Sequence, residues 1–167
     1  ILKKLLIILS NKNQIKKIAL LTSGGDAPGM NASIRSVVRA CVFHNIIPVG
    51  VYKGYDGLIK GRFEEMNARS VKGIINKGGT ILKTARSGKF KSKAGRDEAY
   101  KSIKKNKIDG LIVIGGDGTF TGGLIFSEEN KFPVIGIPAT IDNDIFGTSH
   151  TIGFDSATNT AVSYTHL

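Results

Sequence analysis

Gly110-Leu111-Ile112-Val113-Ile114-Gly115-Gly116-Asp117-Gly118-Thr119 is the stretch on which the fold turns. Its first half is a short, unbroken apolar run rich in β-branched residues and bounded by glycine. Such runs are strands buried on both faces, as in parallel sheets. Its second half is small and polar, and helical spacing can resume after it. A helix from Phe120 to about Glu129 is expected there, although Gly122 and Gly123 weaken its intrinsic propensity.

The same pattern, a buried strand emptying into a polar loop, occurs on either side. Ile18-Ala19-Leu20-Leu21-Thr22 runs into Ser23-Gly24-Gly25-Asp26-Ala27-Pro28-Gly29. Pro133-Val134-Ile135-Gly136-Ile137-Pro138 runs towards Thr140-Ile141-Asp142-Asn143-Asp144. From Met30 to Phe43 the apolar residues Ile34, Val37, Val38, Cys41 and Val42 recur at helical spacing, which predicts a helix lying on one face of a sheet. Residues 47–52 read as a further strand, followed by a turn-rich loop at Gly54, Asp56 and Gly57. A short helix over 70–76, closed by Gly78-Gly79, is expected next. After a polar loop at 84–88, a helix from Arg96 to Asn106 carries lysines at its C-terminal end, where cations suit the helix dipole. Strands alternating with helices specify an α/β fold: a mostly parallel sheet with helices on both faces.

Charge and composition narrow the function. The 167 residues carry 24 Lys and Arg against 13 Asp and Glu, a formal net charge of +11. That balance raises nucleic acid as a partner. Against it, lysines are scattered and aromatics make up only 7% with no Trp, so base-stacking platforms are not expected. An anionic small molecule suits the charge instead. The single cysteine, Cys41, excludes a disulfide framework within the chain and fits a reducing cytoplasm. No run is long and apolar enough to suggest a membrane span. Residues 1–17 are expected to be a disordered or non-native extension, 18–153 a nucleotide-binding α/β domain, and 154–167 the start of a linker or second domain. The last residues suggest a fragment of a longer protein.

The chemistry concentrates in the three polar loops. In an open parallel sheet, ligands bind outside the carboxyl ends of the strands, so all three should crowd one rim. Gly24 and Gly25 leave backbone N–H groups open to a phosphate, and the following helix directs its positive end to the same place. The loop lacks the Gly-Lys-Ser/Thr ending of a P-loop and the usual glycine spacing of a dinucleotide fold. Asp117 at a strand end can hold Mg²⁺ through one or two oxygens, or cap the next helix. Asp142 and Asp144 flank Asn143. In an extended segment both carboxylates would point to one side, an arrangement suited to a metal or a proton acceptor. Arg86 in its polar loop can grip a phosphate with two donors. Together these are the parts of a phosphoryl-transfer site.

The stretches 22–31 (Thr-Ser-Gly-Gly-Asp-Ala-Pro-Gly-Met-Asn), 115–119 (Gly-Gly-Asp-Gly-Thr) and 138–144 (Pro-Ala-Thr-Ile-Asp-Asn-Asp) resemble three N-terminal motifs of the phosphofructokinase family. Asn76-Lys77-Gly78-Gly79-Thr80 and Thr151-Ile152-Gly153-Phe154-Asp155 also match, and the likeness runs from about Ile18 to Val162. The resemblance implies a Rossmann-like three-layer α/β/α domain. It also implies ATP-dependent 6-phosphofructokinase activity in glycolysis, with fructose 6-phosphate and ATP as partners and Mg²⁺ as cofactor. A cytoplasmic homotetramer under allosteric control would follow.

Residue roles follow from the same likeness. Gly25 would contact ATP phosphates and Tyr55 would lie by the adenosine. Ser87, Gly116, Gly118 and Thr119 would sit beside the nucleotide. Arg86 would stabilise the transferring phosphoryl group, and Asp117 and Asp144 would serve the metal. Thr140, Ile141 and Asp142 would meet the sugar phosphate, with Asp142 as the catalytic base for its 1-hydroxyl and Thr140 as a catalytic residue touching either that sugar phosphate or the moving phosphate. Arg35 and Arg39 match effector-binding arginines of the family. Ala68 and Gly73 stand where two further effector contacts would fall, which weakens that part of the likeness. The pyrophosphate-using branch typically carries Asp after the metal aspartate and Lys before the Thr-Ile-Asp-Asn-Asp motif. Here Gly118 and Ala139 occupy those positions, which points to ATP as donor.

Overall fold

The computed structural model describes residues 15–165. Most of the expected N-terminal extension, residues 1–14, lies outside them. In chain order the elements are β1 (Lys17–Thr22), α1 (Met30–Phe43), β2 (Ile47–Val51), α2 (Gly54–Lys60) and β3 (Phe63–Glu65). A 3-10 turn at Lys89–Lys91 leads into α3 (Lys93–Lys105), β4 (Gly110–Gly115) and α4 (Asp117–Asn130). Finally come β5 (Val134–Thr140), β6 (Ile152–Gly153) and α5 (Phe154–Thr165).

The strands form one sheet in the order β3-β2-β1-β4-β5-β6. All neighbours are parallel except β2 and β3. Period-two alternation sends successive side chains of each strand to opposite faces. Ala19, Leu21, Val49, Val51, Leu111 and Val113 pack with residues of α2, α3 and α4 in one core. Leu20 and Ile114 pack on the other face with Met30, Ile34, Val37, Val38 and Cys41 of α1. The result is the expected three-layer α/β/α arrangement. Leu20 is fully buried at the centre of the sheet. Leu20→Ala is expected to cost about 3 kcal/mol, the usual scale for a truncated core leucine, read as a lower urea midpoint at unchanged slope.

Two local expectations need correction, and one strand had no expectation at all. Residues 70–76 form turns rather than a helix. Gly73 sits at φ +66, which breaks helical geometry, while Val71 and Ile74 still reach the core. Apolar residues three apart therefore satisfied two consecutive turns. The turn-rich loop at 54–57 is instead the helix α2. Gly57 is needed there because a Cβ would lie 1.7 Å from the Tyr52 carbonyl oxygen. Its glycines mark tight packing, not irregular chain. The short, charged edge strand β3 gave no apolar alternation to read, and such edges resist unwanted pairing.

The domain edges also sharpen. β1 begins at Lys17, and the Asp109 carboxylate accepts from the backbone N–H groups of Lys16 and Lys17. At the other end, α5 buries no residue among those described. A separate unit beginning at 154 remains an expectation.

Candidate active site

The order of strands creates the site. From β1 the chain moves outward to β2, then returns to start β4 on the other side of β1. Between β1 and β4 the sheet therefore has its switch point, where loops diverge and leave a crevice. The two strands pair in register from Ile18 with Gly110 to Thr22 with Ile114, so their carboxyl ends finish level.

Close backbone contacts draw the three loops together. The Ser23 N–H donates to the Ile114 carbonyl oxygen at 3.0 Å, tying the first loop to β4. A Cβ on Gly115 would lie 2.4 Å from the Ser23 carbonyl oxygen. A Cβ on Gly116 would meet Thr140 at 3.4 Å, so the second and third loops touch there. Proximity thus requires glycine at 115, whereas the contact at 116 is an ordinary one.

The crevice is a cleft of about 910 Å³. Gly25, Tyr55, Arg86, Ser87, Gly116, Asp117, Gly118, Thr119, Thr140, Asp142 and Asp144 all line it. Ile141 does not; its side chain is 49% exposed. Arg35 and Arg39 lie on α1 and do not line the cleft either. Arg35 donates to the Val71 carbonyl oxygen at 2.8 Å, which gives it a role in holding the turns at 70–76.

Each loop is fixed from behind. In the first, Gly24 adopts φ +86, and a Cβ on Gly25 would meet nothing within 4 Å, leaving its backbone open to the cleft. Asp26 turns to other work, its carboxylate accepting from the Thr80 N–H at 3.1 Å. Buried Asn31 binds the same segment: its amide donates to the carbonyls of Lys77 and Gly79, and its oxygen accepts from the Ile81 N–H. These bonds anchor the approach to the loop that carries Arg86. The sequence offered Asn31 only as part of a matching motif, with no sign of this bracing role.

In the second loop, Asp117 is the first residue of α4 and Gly116 is the N-cap. The capping alternative for Asp117 therefore falls away. Its carboxylate is exposed at the positive end of the helix, where negative charge is favoured.

In the third, the segment is not extended. Asn143 takes φ +52, which turns the chain between the two aspartates. The Asn143 side-chain oxygen accepts from the Thr151 N–H at 2.8 Å, and its amide donates to the Ser149 carbonyl. Thr140 Oγ1 donates to Asp142 Oδ2 at 3.3 Å and accepts from the Asp142 N–H at 3.2 Å. Thr140 therefore sets the direction of the Asp142 carboxylate. Both aspartates reach the cleft through a pinned turn, not through strand alternation.

An aromatic pair lines the cleft beside the second loop. Phe90 stacks on Tyr55 with ring centroids 3.9 Å apart. The Tyr55 hydroxyl donates to the Thr119 carbonyl at 2.6 Å, and burial pushes its pKa well above the ordinary range, so it stays a neutral donor. Gly122 and Gly123 make room for this ring: a Cβ on either would lie 3.3 Å from Tyr55. The two glycines that argued against a helix are there because α4 must press against Tyr55. Phe90, Lys91 and Arg96 also line the cleft and were missed in the sequence. An isolated phenylalanine in a polar loop was the available signal.

The cleft thus gathers a largely buried aromatic pair, glycine backbone and three carboxylates. Among the described residues no cluster of three or more His, Cys, Asp or Glu gathers as a metal cage. Mg²⁺ does not need one, because it binds through one or two carboxylates and completes its shell with water and phosphate oxygens. The exposed hard-oxygen donors of Asp117 and Asp144 fit that ion.

Fold and cleft together define a doubly wound α/β domain with a glycine-lined crevice that holds carboxylates and basic side chains at its switch point. Residues 17–166 match the family described as Phosphofructokinase, and the chain belongs to that family. It is 55% identical over 149 residues to the ATP-dependent 6-phosphofructokinase of Cytophaga hutchinsonii, covering 89% of this chain and 45% of that protein. It is 55% identical over 148 residues to that of Thermotoga petrophila, covering 89% of this chain and 46% of the relative. The solved phosphofructokinase of Saccharomyces cerevisiae superposes with a TM-score of 0.85 at 36% identity, over 90% of this chain and 24% of that one. The chain spans about half the length of the curated relatives it matches.

Proposed function

We propose that this chain supplies the nucleotide-binding half of an ATP-dependent 6-phosphofructokinase, which transfers the γ-phosphoryl group of ATP to the 1-hydroxyl of fructose 6-phosphate. The observation that carries this reading is the convergence of Asp117, Asp142 and Asp144 with two glycine loops at one switch point, in a member of this family. The relatives' names, which specify ATP and 6-phosphofructokinase, support it.

The base of the nucleotide would lie towards Tyr55 and Phe90, and its phosphates along Gly25 and residues 116–119. The free N–H groups at the start of α4 attract the phosphate charge. Arg86 and Ser87 would flank the transferring group, with the arginine countering charge that develops there. Asp117 and Asp144 would hold Mg²⁺, which when bound neutralises phosphate charge. Asp142, aimed by Thr140, would accept the proton of the sugar hydroxyl as that oxygen attacks phosphorus. Ile141 does not line the cleft, so the geometry gives it no contact with that sugar. The whole enzyme would work in the cytoplasm as a homotetramer, with Arg35 and Arg39 available to an effector.

The donor reading rests on Gly118 and Ala139. A Cβ on Gly118 would meet nothing within 4 Å, so that side of the cleft is open for a nucleoside triphosphate. Ala139 is buried and brings no cation to the cleft. The test is an assay of the full-length protein on fructose 6-phosphate with ATP or pyrophosphate. Formation of fructose 1,6-bisphosphate with ATP is expected. Turnover with pyrophosphate alone, or with neither donor, would reject the proposal.

A further inference from the structure

The aromatic pair in the cleft is held by an ion pair that reaches beyond it. Phe90 belongs to the single 3-10 turn Lys89–Lys91, a segment too short to fix its own geometry. Behind it, Arg96 of α3 is 8% exposed and uses four of its five donors. Nη1 donates to the carbonyl oxygens of Phe90 and Lys91, at 3.1 and 2.6 Å. Nε and Nη2 donate to the two carboxylate oxygens of Glu129, at 2.6 and 2.7 Å. The carboxylate thus sets the plane of the guanidinium, and the guanidinium sets the turn that presents Phe90 to Tyr55.

Glu129 lies in the last turn of α4, the helix whose first residue is Asp117. Gly122 of the same helix lies against both aromatic rings. One rigid helix therefore carries the metal-facing carboxylate at its start and anchors the aromatic wall near its end. A bidentate Arg–carboxylate fork is the geometry suited to fix a distance and an orientation at once.

We propose that Glu129 is a positioning residue for the nucleoside end of the cleft. It acts through Arg96 to hold the 88–91 turn and the Phe90–Tyr55 stack in register with the phosphate loops. Glu129 does not line the cleft itself, so its effect on a nucleotide has to pass through Arg96, which does, and through the turn that Arg96 holds. The inference rests on the reading of the cleft as a nucleoside triphosphate site.

The test is Glu129→Gln in the full-length protein, read in two ways. The first is amide hydrogen exchange over residues 88–91 without nucleotide, expected to quicken by about ten-fold while β1 and β4 stay unchanged. The second is kinetic. The KM for ATP should rise by about ten-fold with kcat and the KM for fructose 6-phosphate unmoved, and the preference for ATP over CTP should narrow. A merely structural defect would move all constants together and leave base preference intact, which would overturn the proposal. Unchanged exchange at 88–91 would overturn it too. Faster exchange in a protein that neither binds nor uses ATP would instead remove the nucleotide reading and, with it, the assigned role. Should the Gln variant not fold, Glu129→Asp keeps the charge, shortens its reach and carries the same measurements with smaller shifts expected.

Discussion

Asp142→Ser in the full-length enzyme is expected to lower kcat by about 10²-fold or more while leaving the KM for ATP near its starting value, the scale of a lost general base. The carboxylate is exposed in the cleft that Asp144 also lines, so a sugar hydroxyl could reach it. It is also aimed, because Thr140 Oγ1 both donates to it and accepts from its backbone N–H. Serine removes the basic oxygen and keeps a small polar group, so the turn held by Asn143 and Thr151 should persist. Steady-state kinetics with saturating ATP and varied sugar phosphate check this. A variant with kcat within a few-fold of the parent would mean that another group takes the proton.

Thr140→Val probes the same arrangement one step back. Its effect should be smaller than that of Asp142→Ser, because the carboxylate survives but loses its guide. The Thr151 hydroxyl would still hold the Thr140 carbonyl oxygen at 2.7 Å, so the backbone should keep its path. That contrast separates a group that reacts from one that directs it.

The fold was legible wherever hydrophobic period and loop chemistry agreed. The run Gly110–Gly115 and helix Met30–Phe43 carry unmixed patterns, and both appear where the sequence puts them. Legibility failed where glycine had two meanings. Gly54 and Gly57 read as turn residues, yet they let α2 pack against the Thr22 and Tyr52 carbonyls respectively. Gly122 and Gly123 lowered the expectation for α4, yet they seat Tyr55. Sequence reports the absence of a side chain, not which neighbour needs the space.

The site divides in the same way. Asp117, Asp142 and Asp144 were visible because carboxylates clustered after strands have few structural uses. The Asn143 turn that brings the last two to the cleft had a signal, since asparagine favours turns and positive φ, but strand alternation accounted for the pair as well. Arg96 and Glu129 stand 33 residues apart on separate helices. Their pairing depends on how α3 and α4 pack, which no local pattern encodes.

Gly118→Asp should weaken ATP use most of all the substitutions that leave the catalytic groups intact. The position lies one residue into α4 and faces the open cleft, where a Cβ meets no atom within 4 Å. The fold should therefore tolerate a side chain, and any penalty falls on the ligand. A second carboxylate beside Asp117 would face the triphosphate under the proposed reading, and a separation of about 5 Å serves as the scale. At an effective dielectric near 20, like charges so placed repel by about 3 kcal/mol, or roughly 10²-fold in affinity. It would also cancel the attraction that the start of α4 offers to anions. The expected result is a rise in the KM for ATP of about 10²-fold, with the thermal midpoint unchanged or slightly raised. Gly118→Ala separates the two causes: it fills the same space without charge, so its loss should be several-fold at most. Equal losses for Ala and Asp would assign the effect to volume, and no loss for either would mean that the nucleotide does not pass this face of the helix.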